Sequence, residues 1–287
     1  MELKPATTFD EQLDLLEKRN CFISDPVFCK QVLQRINYYR FSAFFLPFRT
    51  ESGMYKEGTS FHRVYRIYEF DRKMRQILFS AIEQVELYFR TQLAYFHAHK
   101  YGPLGYMDAA NYGQKHDHVR FQQLFNEEVR RNRKILFVKH HLEKYDGNFP
   151  VWVATELFSF GMLSYFYGDM RTPDKKELAR MLYGTTCHNL DSWLRCCTDL
   201  RNICAHYGRL YYRIFSAVPV TPDGFPIELG RRLFDNIVML KFLYPDSERW
   251  NSEVLPSIAV LIEEYSGDIE LRHIGFPEEW EGYLHRA

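Results

Sequence analysis

Along residues 61–100, Val64, Ile67, Tyr68, Met74, Leu78, Ile82, Val85, Phe89, Leu93 and Phe96 recur at three- and four-residue spacing. That period lays them along one stripe of a single long helix. The stretch "ISDPVFCKQVLQRINYYRFSAFFLPF" reads as another helix, with Asp25 as N-cap, Pro26 at the first helical position and Pro47 at the exit. A short helix precedes it in "TFDEQLDLLEKR", residues 8–19. Further helical patterns lie near residues 116–144, 151–167, 174–182, 191–213, 228–244 and 250–265. Pro and Gly clusters separate them, as in "YGPLGY", "YDGNFP" and "VTPDGFP".

No run of alternating strands and no internal repeat appears, so the pattern predicts an all-α chain. Nor does any shift of composition divide it. It reads as one helical domain over 1–287, with an N-terminal helical extension at 1–50, a core at 60–245, and a C-terminal helix and tail at 246–287.

Composition changes this picture in two respects. Aromatics make up 17% of the chain, which predicts an aromatic-rich core. Lys and Arg number 37 against 37 Asp and Glu, so no bulk field recruits nucleic acid and any recruitment falls to local patches. The first twenty residues lack the apolar stretch of a signal peptide, and runs such as "FSAFFLPF" are far short of a membrane span. With six cysteines outside any framework spacing, the expectation is a cytoplasmic protein with reduced thiols and no membrane partner.

Charge collects in two unusual places. Read as one helix at roughly 100° per residue, 191–213 puts Trp193, Cys197, Leu200, Cys204, Tyr207 and Tyr211 on one face. Asn202, His206, Arg209 and Arg213 fall opposite, and Arg201 lies between, able to swing its long side chain towards them. One surface can then present a guanidinium, an amide and an imidazole. The imidazole can move a proton near neutral pH, and the guanidinium is a planar fork suited to a phosphate. A solvated helix face has the same look. In the long helix, Asp71, Arg75 and Glu86 sit within the apolar stripe and Arg90 at its edge. Asp71 with Arg75, and Glu86 with Arg90, have ion-pair spacing, and the simplest reading is a buried network that sets helix register.

"RNICAH", residues 201–206, matches the R-N-x-x-x-H signature of HEPN domains, and "LRNICAHYGRLYYR" resembles the C-terminal motif of Abi-type abortive-infection proteins of the AbiD/AbiF-like group. The resemblance continues upstream through "RINYYRFSAFFLPF", "YEFDRKMRQILFSAIEQVELYFR" and "AYFHAHKYGPLGY", and covers roughly residues 10–245. One departure stands out: Tyr211 and Tyr212 occupy positions where that group commonly carries Trp-Asn. The resemblance implies a HEPN-like helical bundle and a metal-independent endoribonuclease without cofactor, acting in phage defence as a homodimer. In that reading Arg201 and His206 are the catalytic pair, Asn202 positions them, RNA is the substrate, and a small structured non-coding RNA is a further partner. The alternatives are a non-catalytic binder of a structured small RNA and a protein-interaction subunit of a defence system.

Elsewhere, "VRRNRKILFVKHH" gathers Arg130, Arg131, Arg133 and Lys134, which could track an RNA backbone or form a solvated face. "INYYR" at 36–40 could stack bases, although the "FSAFFLPF" that follows favours core packing. Cys187, His188, Cys196, Cys197, Cys204 and His206 lack metal-ligand spacing, so no metal site is expected.

Overall fold

Ser60 accepts a hydrogen bond from the Arg63 amide and so starts the longest helix, which runs to Tyr101 and stops at Gly102, whose φ of 78° suits glycine. The computed structural model describes residues 5–286. In chain order its α-helices are α1 (Phe9–Glu17), α2 (Pro26–Arg35), α3 (Tyr38–Ser42), α4 (Phe61–Tyr101), α5 (His118–Arg131), α6 (Leu136–Lys144) and α7 (Val151–Ala154). There follow α8 (Phe160–Asp169), α9 (Thr172–Tyr183), α10 (Cys187–Ala205), α11 (Leu233–Leu243), α12 (Ser247–Arg249), α13 (Leu255–Glu264) and α14 (Trp280–Leu284). Among the described residues there is no β-sheet, only isolated bridges. The protein is all-α, as its periodicity predicts.

The bundle is organised around α4, α10 and α11, which pack on one another. The predicted stripe of α4 is buried at every position except Tyr68, which is half-buried. α11 is buried on nearly all sides, which places it at the centre. α8 and α9 pack against α10, α13 lies on α4, and α14 on α11. A continuous apolar core reaches from Leu13 to Leu284.

Four predicted helices differ from the observed elements. One of them, 151–167, is broken after Ala154 by a 3₁₀ turn, Thr155–Leu157, before α8 starts anew at the Ser159 cap. Residues 26–47 do not form one helix: Ile36 is extended, with ψ 118°, and the chain restarts at Asn37 as α3 and a 3₁₀ segment, Ala43–Phe48. The Asn37 side chain accepts from the Tyr39 amide, and that local cap competes with helix continuation. Residues 116–144 split at Asn132, where α5 ends, and α6 begins at Leu136. The helix predicted over 191–213 ends at Ala205, which matters most for the site.

Candidate functional site

α10 ends in a Schellman motif: the Gly208 amide donates to Ile203 O at 2.7 Å and the Tyr207 amide to Cys204 O at 3.2 Å. His206 is the C-cap, and Tyr207 takes the left-handed position with φ 58°, where helices ordinarily place glycine. Gly208 is needed for a different reason. A Cβ there would lie 2.9 Å from the Ile203 side chain and 3.1 Å from its carbonyl oxygen.

This early end corrects the single-face reading. Arg209 and Arg213 lie beyond the helix and do not join Asn202 and His206 on one surface. The Arg209 guanidinium instead donates to Ala43 O, and burial pushes its pKa below the ordinary value. Arg213 turns back onto Arg209 O, 3.3 Å away. Tyr207, expected on the buried face, is 69% exposed. Tyr211 is buried as expected, and its hydroxyl reaches His273 Nδ1 at 2.9 Å.

The last turn of α10 keeps Arg201, Asn202 and His206 near solvent, with Asn202 and His206 exposed and Arg201 half-buried. Arg201 Nε lies 3.7 Å from Glu86 Oε2, and its guanidinium carbon sits 6.0 Å from the centre of the Phe79 ring. Nε is buried without a hydrogen-bond partner among the described residues. The guanidinium is thus flanked by a carboxylate and a ring, with its Nε donor unspent. Glu86 also takes a 2.9 Å bond from Arg90, whose other terminal nitrogen donates to Thr155 O. The Glu86–Arg90 pair therefore links α4 both to Arg201 and to the 155–157 turn.

Asp71 and Arg75 act about three to four turns back along α4 from Glu86. Asp71 is fully buried, and its Oδ1 accepts the amides of Leu210 and Tyr211 at 2.7 and 2.6 Å. Arg75 pairs with Asp71 and also reaches Gly208 O at 3.2 Å. Burial pushes the Asp71 carboxyl up, against the Arg75 guanidinium and the two amides, which pull it down. The network expected to set register thus clamps the loop that follows the motif.

Beside this loop opens a cleft of about 820 Å³, walled by α2 and α3, α4 and the end of α10. Arg35, Arg40, Arg72, Arg75, Phe79 and Tyr207 are among its lining residues, whereas Arg201, Asn202 and His206 are not. Two of the three adjoin lining residues: Arg201 lies over Phe79, and His206 precedes Tyr207 in the chain. Arg40 donates to Tyr207 O, tying the two sides together.

Sequence reasoning passed over Phe79, Arg35 and Arg72 as parts of this cleft, and read Arg75 only as half of an ion pair. Arg40 did lie in the "INYYR" stretch. Phe41, Phe44, Phe45 and Phe48 are core as expected, yet Tyr39 is 87% exposed and Arg40 faces solvent. Arg130, Arg131, Arg133 and Lys134 are exposed at the end of α5 and in the turn that leads to α6, and α5 packs through Phe125 on Phe149 and Phe158. Arg131 is paired with Glu128 at 2.6 Å.

The chain is thus an all-α bundle that presents Arg-Asn-x-x-x-His at the exposed end of α10. The chain belongs to the Abi-like protein family, whose match covers residues 31–212, from the end of α2 through the motif. Membership ties it to abortive-infection defence against phage. No curated protein and no solved structure matches the chain. Among the described residues no helix is long and apolar enough to cross a membrane.

Proposed function

We propose that this Abi-like protein is a HEPN-type endoribonuclease that cleaves RNA during phage infection, acting as a homodimer and without a metal ion. The observation that carries the reading is the end of α10. A guanidinium with an unpartnered Nε stands between Glu86 and Phe79, five residues from an imidazole that is open to solvent.

The chemistry follows from these groups. His206 takes the proton of a ribose 2′-hydroxyl as its oxygen attacks the adjacent phosphorus. The 5′-oxygen of the next nucleotide leaves and acquires a proton, giving a 2′,3′-cyclic phosphate and a 5′-hydroxyl. Arg201 stabilises the charge that builds on the phosphoryl oxygens, where a planar fork outperforms a point charge. Asn202, one turn before His206, positions the pair. The exposed arginines between α5 and α6 would hold the strand by neutralising phosphates.

Cleavage of RNA by the purified chain, with end-mapping of the products, tests this. His206→Ala is expected to lower the rate by about 10²–10⁴-fold, the range for removing a general base. DNA of the same sequence stays intact for want of a 2′-hydroxyl. Unchanged RNA cleavage by His206→Ala would falsify the assignment, and a salt-sensitive RNA complex without cyclic-phosphate ends would leave a binder in its place.

A further inference from the structure

The cleft beside the motif has the makings of a nucleotide site. It holds four arginines against one lining carboxylate, Glu83, in a chain with no net charge. Two of the four are already engaged, Arg75 by Asp71 and Arg72 by Glu69 at 2.9 Å. Arg35 and Arg40 are exposed. Arg40 spends one terminal nitrogen on Tyr207 O and retains donors on the rest of its fork. The walls also supply aromatic faces. Phe79 is 40% exposed and Tyr207 69%, large rings left uncovered in a fold that buries most of its aromatics. Cations beside open rings are what a phosphate joined to a base requires. A volume of about 820 Å³ lies within the range of roughly 300–1,000 Å³ typical of small-ligand sites.

We infer that this cleft binds one nucleotide of the RNA strand, its phosphate on Arg35 and Arg40 and its base against Phe79 and Tyr207. Both rings adjoin the motif: Phe79 neighbours Arg201, and Tyr207 follows His206. A strand seated here passes the proposed catalytic pair at its next phosphodiester. The inference rests on the RNase reading for that placement, and on the cleft alone for the binding itself. It also assigns a use to Tyr207's unfavourable backbone, which holds the ring at the mouth of the cleft.

The test uses the full chain and a fluorescent 2′-O-methyl tetraribonucleotide, which cannot undergo 2′-hydroxyl attack. Arg35→Glu reverses a charge at an exposed position, and Ser80→Trp fills the cleft from an exposed position on α4. Circular dichroism confirms that each variant is folded. Each is expected to weaken tetranucleotide binding by tenfold or more and to raise KM for RNA cleavage. Adenosine 5′-monophosphate serves as competitor. Displacement means that a free nucleotide also enters, whereas binding without displacement confines the site to a strand, and either result upholds the cleft. Should the parent cut no RNA yet lose the tetranucleotide on Arg35→Glu, the cleft stands and the nuclease reading falls. Should the parent cut RNA while both variants bind within twofold of it, the nuclease stands and the cleft is refuted. Absence of tetranucleotide binding to the parent refutes it too.

Discussion

The carboxylate of Asp71 and the backbone nitrogen of Tyr211, 140 residues apart in the chain, are joined by a 2.6 Å hydrogen bond. With the neighbouring bond to Leu210 and the pair to Arg75, it fixes the loop after the motif to the long helix. Both charges are buried, Arg75 being 7% exposed and Asp71 not at all. Removing one partner therefore strands the other in the core. Asp71→Ala is expected to cost about 3–5 kcal/mol, the range for breaking a buried pair. Asp71→Asn should cost less, because its amide oxygen can still accept both backbone bonds. Urea denaturation gives the ranking, and faster hydrogen exchange at the Leu210 and Tyr211 amides locates the effect. Asp71→Ala within about 1 kcal/mol of the parent, no more than an average substitution costs, would refute the clamp.

Glu86 acts on Arg201 without reaching the proposed substrate. One of its oxygens is bonded to Arg90 and the other faces Arg201 Nε at 3.7 Å, so the carboxylate aims the guanidinium. Glu86→Gln keeps the shape and removes the charge. If aim decides, kcat falls by about tenfold, the equivalent of roughly 1.4 kcal/mol, while KM stays near the parent value. A rise in KM alone would place Glu86 in strand binding and end its positioning role. Arg201→Lys keeps the charge and loses the fork. It is expected to cost about 10²–10³ in kcat, as when a single transition-state donor is lost.

How much of this could be read in the residues depended on whether local or distant forces decide. The α4 stripe follows from a 3.6-residue period over forty positions. Glu86, read within the stripe, is half-buried, and Arg90, read at its edge, is buried. The inward placement of Asp71 and Arg75 was visible because charge interrupts that period. What these groups hold was not, since Leu210, Tyr211 and Arg201 meet them only through tertiary packing. The end of α10 was hidden for a local reason. Tyr207 occupies the position where glycine announces a helix terminus, while apolar residues keep a helical rhythm as far as Tyr211. Reading on through Tyr207 put Arg209 and Arg213 on the wrong surface. The cleft was hidden more deeply, because its walls come from α2, α3, α4 and α10.

Tyr207 is where stability and function should part. A non-glycine residue at φ 58° carries a backbone cost of about 1 kcal/mol, and the exposed ring recovers little of it by packing. Tyr207→Gly should therefore stabilise the protein by about 1 kcal/mol in urea denaturation while weakening RNA cleavage through loss of the ring. Tyr207→Asn, a residue that tolerates this conformation, should fall between the two in stability and match glycine in activity. A glycine variant less stable than the parent would show that the ring packs more tightly than its exposure implies.

His97 sets the response to acid. Its ring is fully buried against Tyr101, Tyr112 and Phe166, at centroid distances of 5.0, 6.3 and 5.2 Å, and neither nitrogen has a hydrogen-bond partner among the described residues. The nearest compensating charge is Asp174, which is already bonded to Tyr101 and to Lys100 at 2.8 Å. Burial therefore lowers the imidazole pKa from 6.5 to about 4, with Asp174 opposing only weakly. Between those values the unfolded chain holds a proton that the folded chain refuses. Stability from this group is complete above about pH 6.5 and drains away as pH falls towards 4. At 1.36 kcal/mol per pKa unit, the loss is on the order of 3 kcal/mol. His97→Leu keeps an apolar side chain of similar size in the cage and has nothing to protonate. Urea denaturation of both proteins at pH 7, 5.5 and 4.5 isolates the effect, because every other titrating group is common to them. The parent should lose more stability than the variant across this window, and parallel losses would mean that the folded protein accepts the proton on His97 as readily as the open chain does.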